Sequence, residues 1–94
     1  MRSLKPSHRE KKRYLLIRGR DALRKTIEQV ILDFVGVLGY AEASPAFISH
    51  NQKAVVLSIN RDALDKIRAS FFMSGKDLHI EKVSGNVATL LSSI

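Results

Sequence analysis

Ninety-four residues, 45% of them hydrophobic, with 16 Lys and Arg against 9 Asp and Glu, allow one domain with one modest core and exclude a second. The apolar fraction is too high for a mainly disordered chain, and the absence of cysteine removes disulfides, thiolate metal sites and thiol nucleophiles together. No apolar run approaches the roughly 20 residues that span a bilayer, and the chain is charged and polar up to Arg13 without the apolar core of a signal peptide, so a soluble, cytoplasmic protein is expected.

The formal charge of +7 is concentrated at one end: residues 1–25 carry ten basic and two acidic side chains, while the remainder has a net charge of −1. Arg9, Lys11, Lys12, Arg13 and Arg18 form the densest part. Such a cluster attracts phosphate and releases counterions on binding, the sequence-independent term of nucleic-acid affinity. An anionic membrane would need an apolar helical face beside the charges, and residues 1–13 offer only Leu4 besides Met1, so no membrane partner is expected. Lys5-Pro6-Ser7 reads as extended or turn, within a basic arm assigned to residues 1–12.

Tyr14-Leu15-Leu16-Ile17, closed by Arg18-Gly19, suits a central strand covered on both faces. Asp21 is placed to cap a helix whose apolar positions Leu23, Ile27, Val30, Ile31, Phe34, Val37 and Leu38 recur until Gly39, a plausible C′ residue. Ser44-Pro45 marks a loop. Ala46-Phe47-Ile48-Ser49 and the run from Lys53 to Ile59 flank His50-Asn51-Gln52 as a hairpin. Asn60 would cap a second helix with Leu64, Ile67 and either Phe71 or Phe72 on its buried stripe. Leu78 to Val83 alternates like a half-buried edge strand, and Asn86 to Leu91 suits a short terminal helix.

The predicted order is that of an α+β, ferredoxin-like or RRM-like β-α-β-β-α-β sandwich with a four-stranded antiparallel sheet. It divides the chain into the arm at 1–12, the sandwich at 13–83 and the short helix at 84–94. Two helices cover one sheet face, so apolar residues on the other face need a cover. Leu15, Val55, Val56 and Leu57 are therefore candidates for a partner interface, the alternative being that the C-terminal segment folds over that face.

No constellation for catalysis or cofactor binding emerges. The third strand lacks the exposed aromatics on which RNA-recognition motifs stack bases, leaving Tyr14 as the one stacking candidate on the first strand. His8, His50 and His79 have no metal-ligand spacing, so no metal is expected. Asp62 and Asp65 serve a helix start, and the serines lack a base at a recognisable interval. Gly19 could admit a small ligand at a helix N-terminus, but service as a turn residue is the favoured account of a single glycine.

The segment from Leu4 to Leu15, with its leucine-proline entry and Arg9-Glu10-Lys11-Lys12-Arg13-Tyr14, resembles the opening of the archaeal ribonuclease P protein component 2 family, which has eukaryotic counterparts. Val83-Ser84-Gly85 is similar to that family's motif after the last strand. The resemblance implies an accessory subunit of the ribonucleoprotein that removes the 5′ leader of precursor tRNA, with catalysis by the RNA. It implies ribonuclease P RNA and precursor tRNA as partners, together with a TIM-barrel-type protein subunit, and leaves room for a homodimer within a heterotetramer. Arg9, Lys12, Arg13 and Tyr14 match the basic motif. With Lys11, Arg18 and Arg20 they form the expected RNA-binding set. Members of the family continue after the second motif with lysines and arginines, whereas Asn86 to Ile94 has none, so a shorter RNA footprint is expected. Two other classes stay open at this point, a generic RNA-binding module and a homodimeric ligand-sensing domain.

Overall fold

The computed structural model describes residues 11–50 and 54–92. The chain runs β1 (Lys12–Arg18), α1 (Arg24–Ala43), β2 (Ala46–His50), β3 (Val55–Asn60), α2 (Leu64–Ser74), β4 (His79–Ser84) and α3 (Val87–Leu91), with one 3-10 turn at Arg61–Ala63. The strands form one antiparallel sheet in the order β2-β3-β1-β4. The two most apolar strands are thus central, and the architecture is the expected ferredoxin-like one.

Strand alternation assigns the two faces. Leu15, Ile17, Val55, Leu57 and Ile59 pack against Ile27, Val30 and Ile31 of α1 and Ile67 and Phe71 of α2. Leu16, Ala54 and Val56 look the other way and are sealed by Leu90 of α3, with Tyr14 and Val87 around them. The Asn86 side chain caps α3 by accepting a hydrogen bond from the Ala88 N–H at 2.9 Å. Burying a leucine in this way contributes about 1.5–3 kcal/mol, enough to hold a five-residue helix that could not form alone.

This changes the partner-interface expectation. Leu15, Val55 and Leu57 face the helices inside the core, and Val56 faces away from them but lies under Leu90; none of the four is more than 1% exposed. The second face is closed from within the chain, so none of these side chains is available to another protein.

Local signals in the sequence were reassigned in the structure by tertiary partners. Asp21 does not cap α1, which starts at Arg24 after Leu23; its carboxylate accepts the Asp77 N–H at 2.8 Å. Asn60 makes no cap either, because the 3-10 turn intervenes and its side chain bonds sideways to Lys12 and Glu42. α1 passes Gly39 and ends at Ala43, where Ser44 adopts a left-handed conformation and donates its N–H to the carbonyls of Tyr40 and Ala41. A break at Gly36 interrupts this helix. The expected apolar stripe is consequently buried only at Ile27, Val30 and Ile31, whereas Phe34, Val37 and Leu38 remain exposed. In α2, Phe71 is buried and Phe72 is not.

Candidate nucleic-acid interface

The sheet register gathers the basic residues that flank β1. Lys12 stands opposite Asn60 at the end of β3, and Tyr14 opposite Ser84 at the end of β4. The start of β1 and the ends of β3 and β4 therefore share one edge of the fold. The Arg61 N–H donates to the Lys11 carbonyl at 2.7 Å, which brings Arg61 beside the incoming chain. Lys12 Nζ donates to Asn60 Oδ1 at 2.6 Å, and Asn60 Nδ2 donates to the Glu42 carbonyl at 2.7 Å, tying this edge to the end of α1.

Arg13 joins the two motifs that lie far apart in sequence. Its Nη1 donates to the Lys12 carbonyl at 3.0 Å, and a Cβ added at Gly85 would lie 3.5 Å from the same nitrogen. Gly85 does not adopt a positive φ, so its backbone does not demand glycine. A Cβ here would make an ordinary van der Waals contact with the guanidinium, so Gly85 marks how closely the turn approaches Arg13. Ser84 serves the turn, its Oγ accepting the Asn86 N–H at 3.0 Å.

Among the described residues neither Lys11 nor Arg13 has a carboxylate partner, and Arg61 reaches only the exposed Asp62, at 3.9 Å. Among the described residues the charge of Lys11, Arg13 and Arg61 is thus largely uncompensated, the condition under which phosphate is attracted. Arg13 and Arg61 each offer a planar fork of donors suited to phosphate oxygens, and the lysines act as point charges.

Arg18 and Arg20, expected with this set, stand at the far end of the sheet. Arg18 lies six residue steps along β1 from Lys12, about 20 Å at 3.3 Å per residue. There Arg18 pairs with Glu81, and Arg20 Nε lies 3.2 Å from Asp77 Oδ2. The Arg20 N–H also donates to that oxygen at 2.9 Å. These two hydrogen bonds, the backbone one foremost, hold the Asp77 carboxyl below its ordinary pKa. A lowered carboxyl pKa adds stability that is present above the unfolded value and is lost as pH falls through the folded one. Asp77→Asn is therefore expected to lower Tm at neutral pH. Melting curves should show the gap to wild type closing as pH drops below about 4; a gap constant with pH would remove the carboxylate from the stability of this turn.

Tyr14 is half-buried against the Leu16, Val56 and Leu90 cluster, in a packing position. Arg9 lies outside the described residues. Arg61 was missed in the sequence because it reads as the first turn of a helix; the strand order alone could have found it, since whatever follows β3 must sit beside whatever precedes β1. Among the described residues no group of three His, Asp or Glu side chains could hold a metal ion, and no helix is long and apolar enough to cross a membrane.

Comparison with known proteins places the chain in a family. No family model matches the chain. The ribonuclease P protein component 2 of Methanococcus maripaludis strain C7 is 30% identical over 100 residues, an alignment that covers 93% of this chain and 77% of that protein. The chain belongs to the ribonuclease P protein component 2 family. The strain C6 protein of the same name is 28% identical with the same coverage. The ribonuclease P match thus spans the basic edge, the sheet and both helices that cover it, and is not confined to the arm.

Proposed function

We propose that the chain is an accessory protein subunit of ribonuclease P that supports the catalytic RNA in 5′ maturation of precursor tRNA, by binding RNA phosphates at the basic edge and by contacting a partner protein. The observation that carries this reading is the convergence of Lys11, Lys12, Arg13 and Arg61 at one edge, beside Gly85, in a chain of this family. On this reading catalysis belongs to the RNA, and the chain supplies counter-charge that lowers the cost of bringing RNA segments together.

Among the described residues the edge offers cations and no stacking platform. Its contribution to RNA binding is then positional and independent of base sequence. The partner protein on this reading is the TIM-barrel-type subunit, and a homodimer within a heterotetramer is compatible with it. The test is reconstitution of cleavage of precursor tRNA at reduced magnesium from the catalytic RNA and the TIM-barrel-type subunit, with and without this chain. Cleavage that depends on the chain is expected. Activity indifferent to it, with no complex formed, would replace this reading with that of a generic RNA-binding module.

A further inference from the structure

The break in α1 divides it into residues 24–35 and 37–43 about Gly36, whose φ of 76 and ψ of 176 lie outside the helical region. Across this bend the Tyr40 hydroxyl donates to Glu28 Oε2 at 3.3 Å. In a straight helix these residues, 12 positions apart, would stand about 18 Å from each other along the axis, beyond the reach of the two side chains. The bond therefore exists only because the helix turns at Gly36. Gly39 fits the same bend. A Cβ there would lie 2.7 Å from the Val35 Cβ, whereas residues four apart in a straight helix keep their Cβ atoms about 5–6 Å apart. Gly39 has no positive φ, so crowding alone opposes a side chain at that position.

The apolar pattern favours a different helix. Ile27, Val30, Ile31, Phe34, Val37 and Leu38 keep helical spacing straight through Gly36. The bent form buries the first three and packs Val35, Tyr40 and Ala43 on the core, but leaves Phe34, Val37 and Leu38 exposed. A straight α1 would carry the stripe on along the sheet and cover those three instead. One sequence thus supports two packings, each burying what the other exposes. The adjoining strand has slack to follow. Only Ser44 and Pro45 join α1 to β2, an edge strand whose pairing with β3 is irregular between Phe47 and Ser49. The end of α1 also reaches the basic edge, where Asn60 donates to the Glu42 carbonyl and accepts from Lys12 Nζ.

We propose that α1 is a conformational switch, in which the bent form, clasped by Tyr40 on Glu28, exchanges with a straight form that buries Phe34, Val37 and Leu38 and draws Glu42 away from Asn60. The Glu42–Asn60 bond belongs to the bent form, so the switch bears on the side chain that steadies Lys12. That link to RNA rests on the ribonuclease P reading; the switch itself does not.

The chain has no cysteine, so spin labels attached through Lys25→Cys and Glu42→Cys, both at exposed positions, report the span of α1 in the full chain. A straight helix sets these positions about 26 Å apart, and the bent form brings them closer. Double electron–electron resonance is expected to show a dominant short distance in the otherwise unaltered chain. Gly36→Ala penalises the left-handed residue of the bent form and removes a glycine from the interior of the straight one, so it should raise the long-to-short ratio at least about tenfold. Gly39→Ala should raise it through the Val35 contact, and Tyr40→Phe about fivefold through the lost hydrogen bond. Gly75→Ala, left-handed but outside α1, should leave the ratio unchanged. A single short distance in all of these variants overturns the switch, as does a single long distance in the unaltered chain. If either α1 glycine variant fails to fold, Tyr40→Phe decides by the same readout. Variants that straighten α1 should also weaken binding to the catalytic RNA at least threefold in filter assays. Unchanged affinity overturns the link to the basic edge and leaves the switch standing. If the unaltered chain does not bind that RNA, the ribonuclease P reading fails while the distances still decide the switch.

Discussion

Replacing Lys11, Arg13 and Arg61 together with alanine is expected to weaken binding to the catalytic RNA about one hundredfold at physiological salt. The magnitude follows from about 1 kcal/mol for each phosphate hydrogen bond removed and tenfold per 1.4 kcal/mol. The plot of log affinity against log salt should also flatten by about 2 to 2.7, at 0.7–0.9 per neutralised phosphate. Lys12 stays in place because its bond to Asn60, and through it to Glu42, supports the edge itself. The informative comparison is Arg18→Ala with Arg20→Ala. Those side chains are as basic, but each has a carboxylate partner at the opposite end of β1, so RNA affinity should stay within about threefold and the slope should not move. Filter binding across a salt series distinguishes the two ends. Equal weakening from both sets of changes would mean that RNA responds to net charge alone, and the edge would lose its status as a site.

The sheet was legible because its signals are local and redundant. The continuous apolar runs of β1 and β3 require burial on both faces, and the hairpin and helices around them leave one economical topology. Caps were less legible, since a side chain that can cap a helix can also bond elsewhere. Asp21 and Asn60 illustrate this: each has the chemistry of an N-cap, and each is taken by a partner 56 or 48 residues away in sequence. The sheet's second face stayed open in the sequence, between a partner and the C-terminal segment, for a related reason: Val87 to Leu91 reads as a short helix, but only its tertiary contact, with Leu90 on the cluster of Leu16, Ala54 and Val56, decides for the segment. For the candidate site, the basic motif names the residues but not their partners. Whether an arginine is free or neutralised depends on strand pairing, and that pairing divides Arg13 from Arg18 and Arg20.

Gly19→Ala is expected to lower Tm by about 12–24 °C. Gly19 holds φ +135, a conformation side chains rarely adopt, and an added Cβ would lie 2.0 Å from the Asp77 carbonyl oxygen and 2.8 Å from its carbon. Both are backbone atoms, which cannot rotate aside. Nor can the Asp77 segment retreat without cost, because the Asp21 N–H donates to the Asp77 carbonyl at 3.2 Å and the Asp77 N–H to the Asp21 carboxylate at 2.8 Å. Strained backbone of this kind costs about 1–3 kcal/mol. With the clash the total is about 3 kcal/mol, and a domain of 60–100 residues loses about 4–8 °C per kcal/mol. Gly75→Ala is the control: φ is +71 but nothing lies within 4 Å of the new Cβ, so only the left-handed penalty of about 1–2 kcal/mol applies. Equal melting shifts for the two variants would show that the Asp77 backbone yields freely. Because the Gly19 turn lies about 20 Å from the basic edge and shares no partner with it, the two effects should be independent. Folded Gly19→Ala protein, assayed well below its Tm, is expected to keep its RNA affinity within twofold, which separates the stability of the turn from the charge that binds RNA.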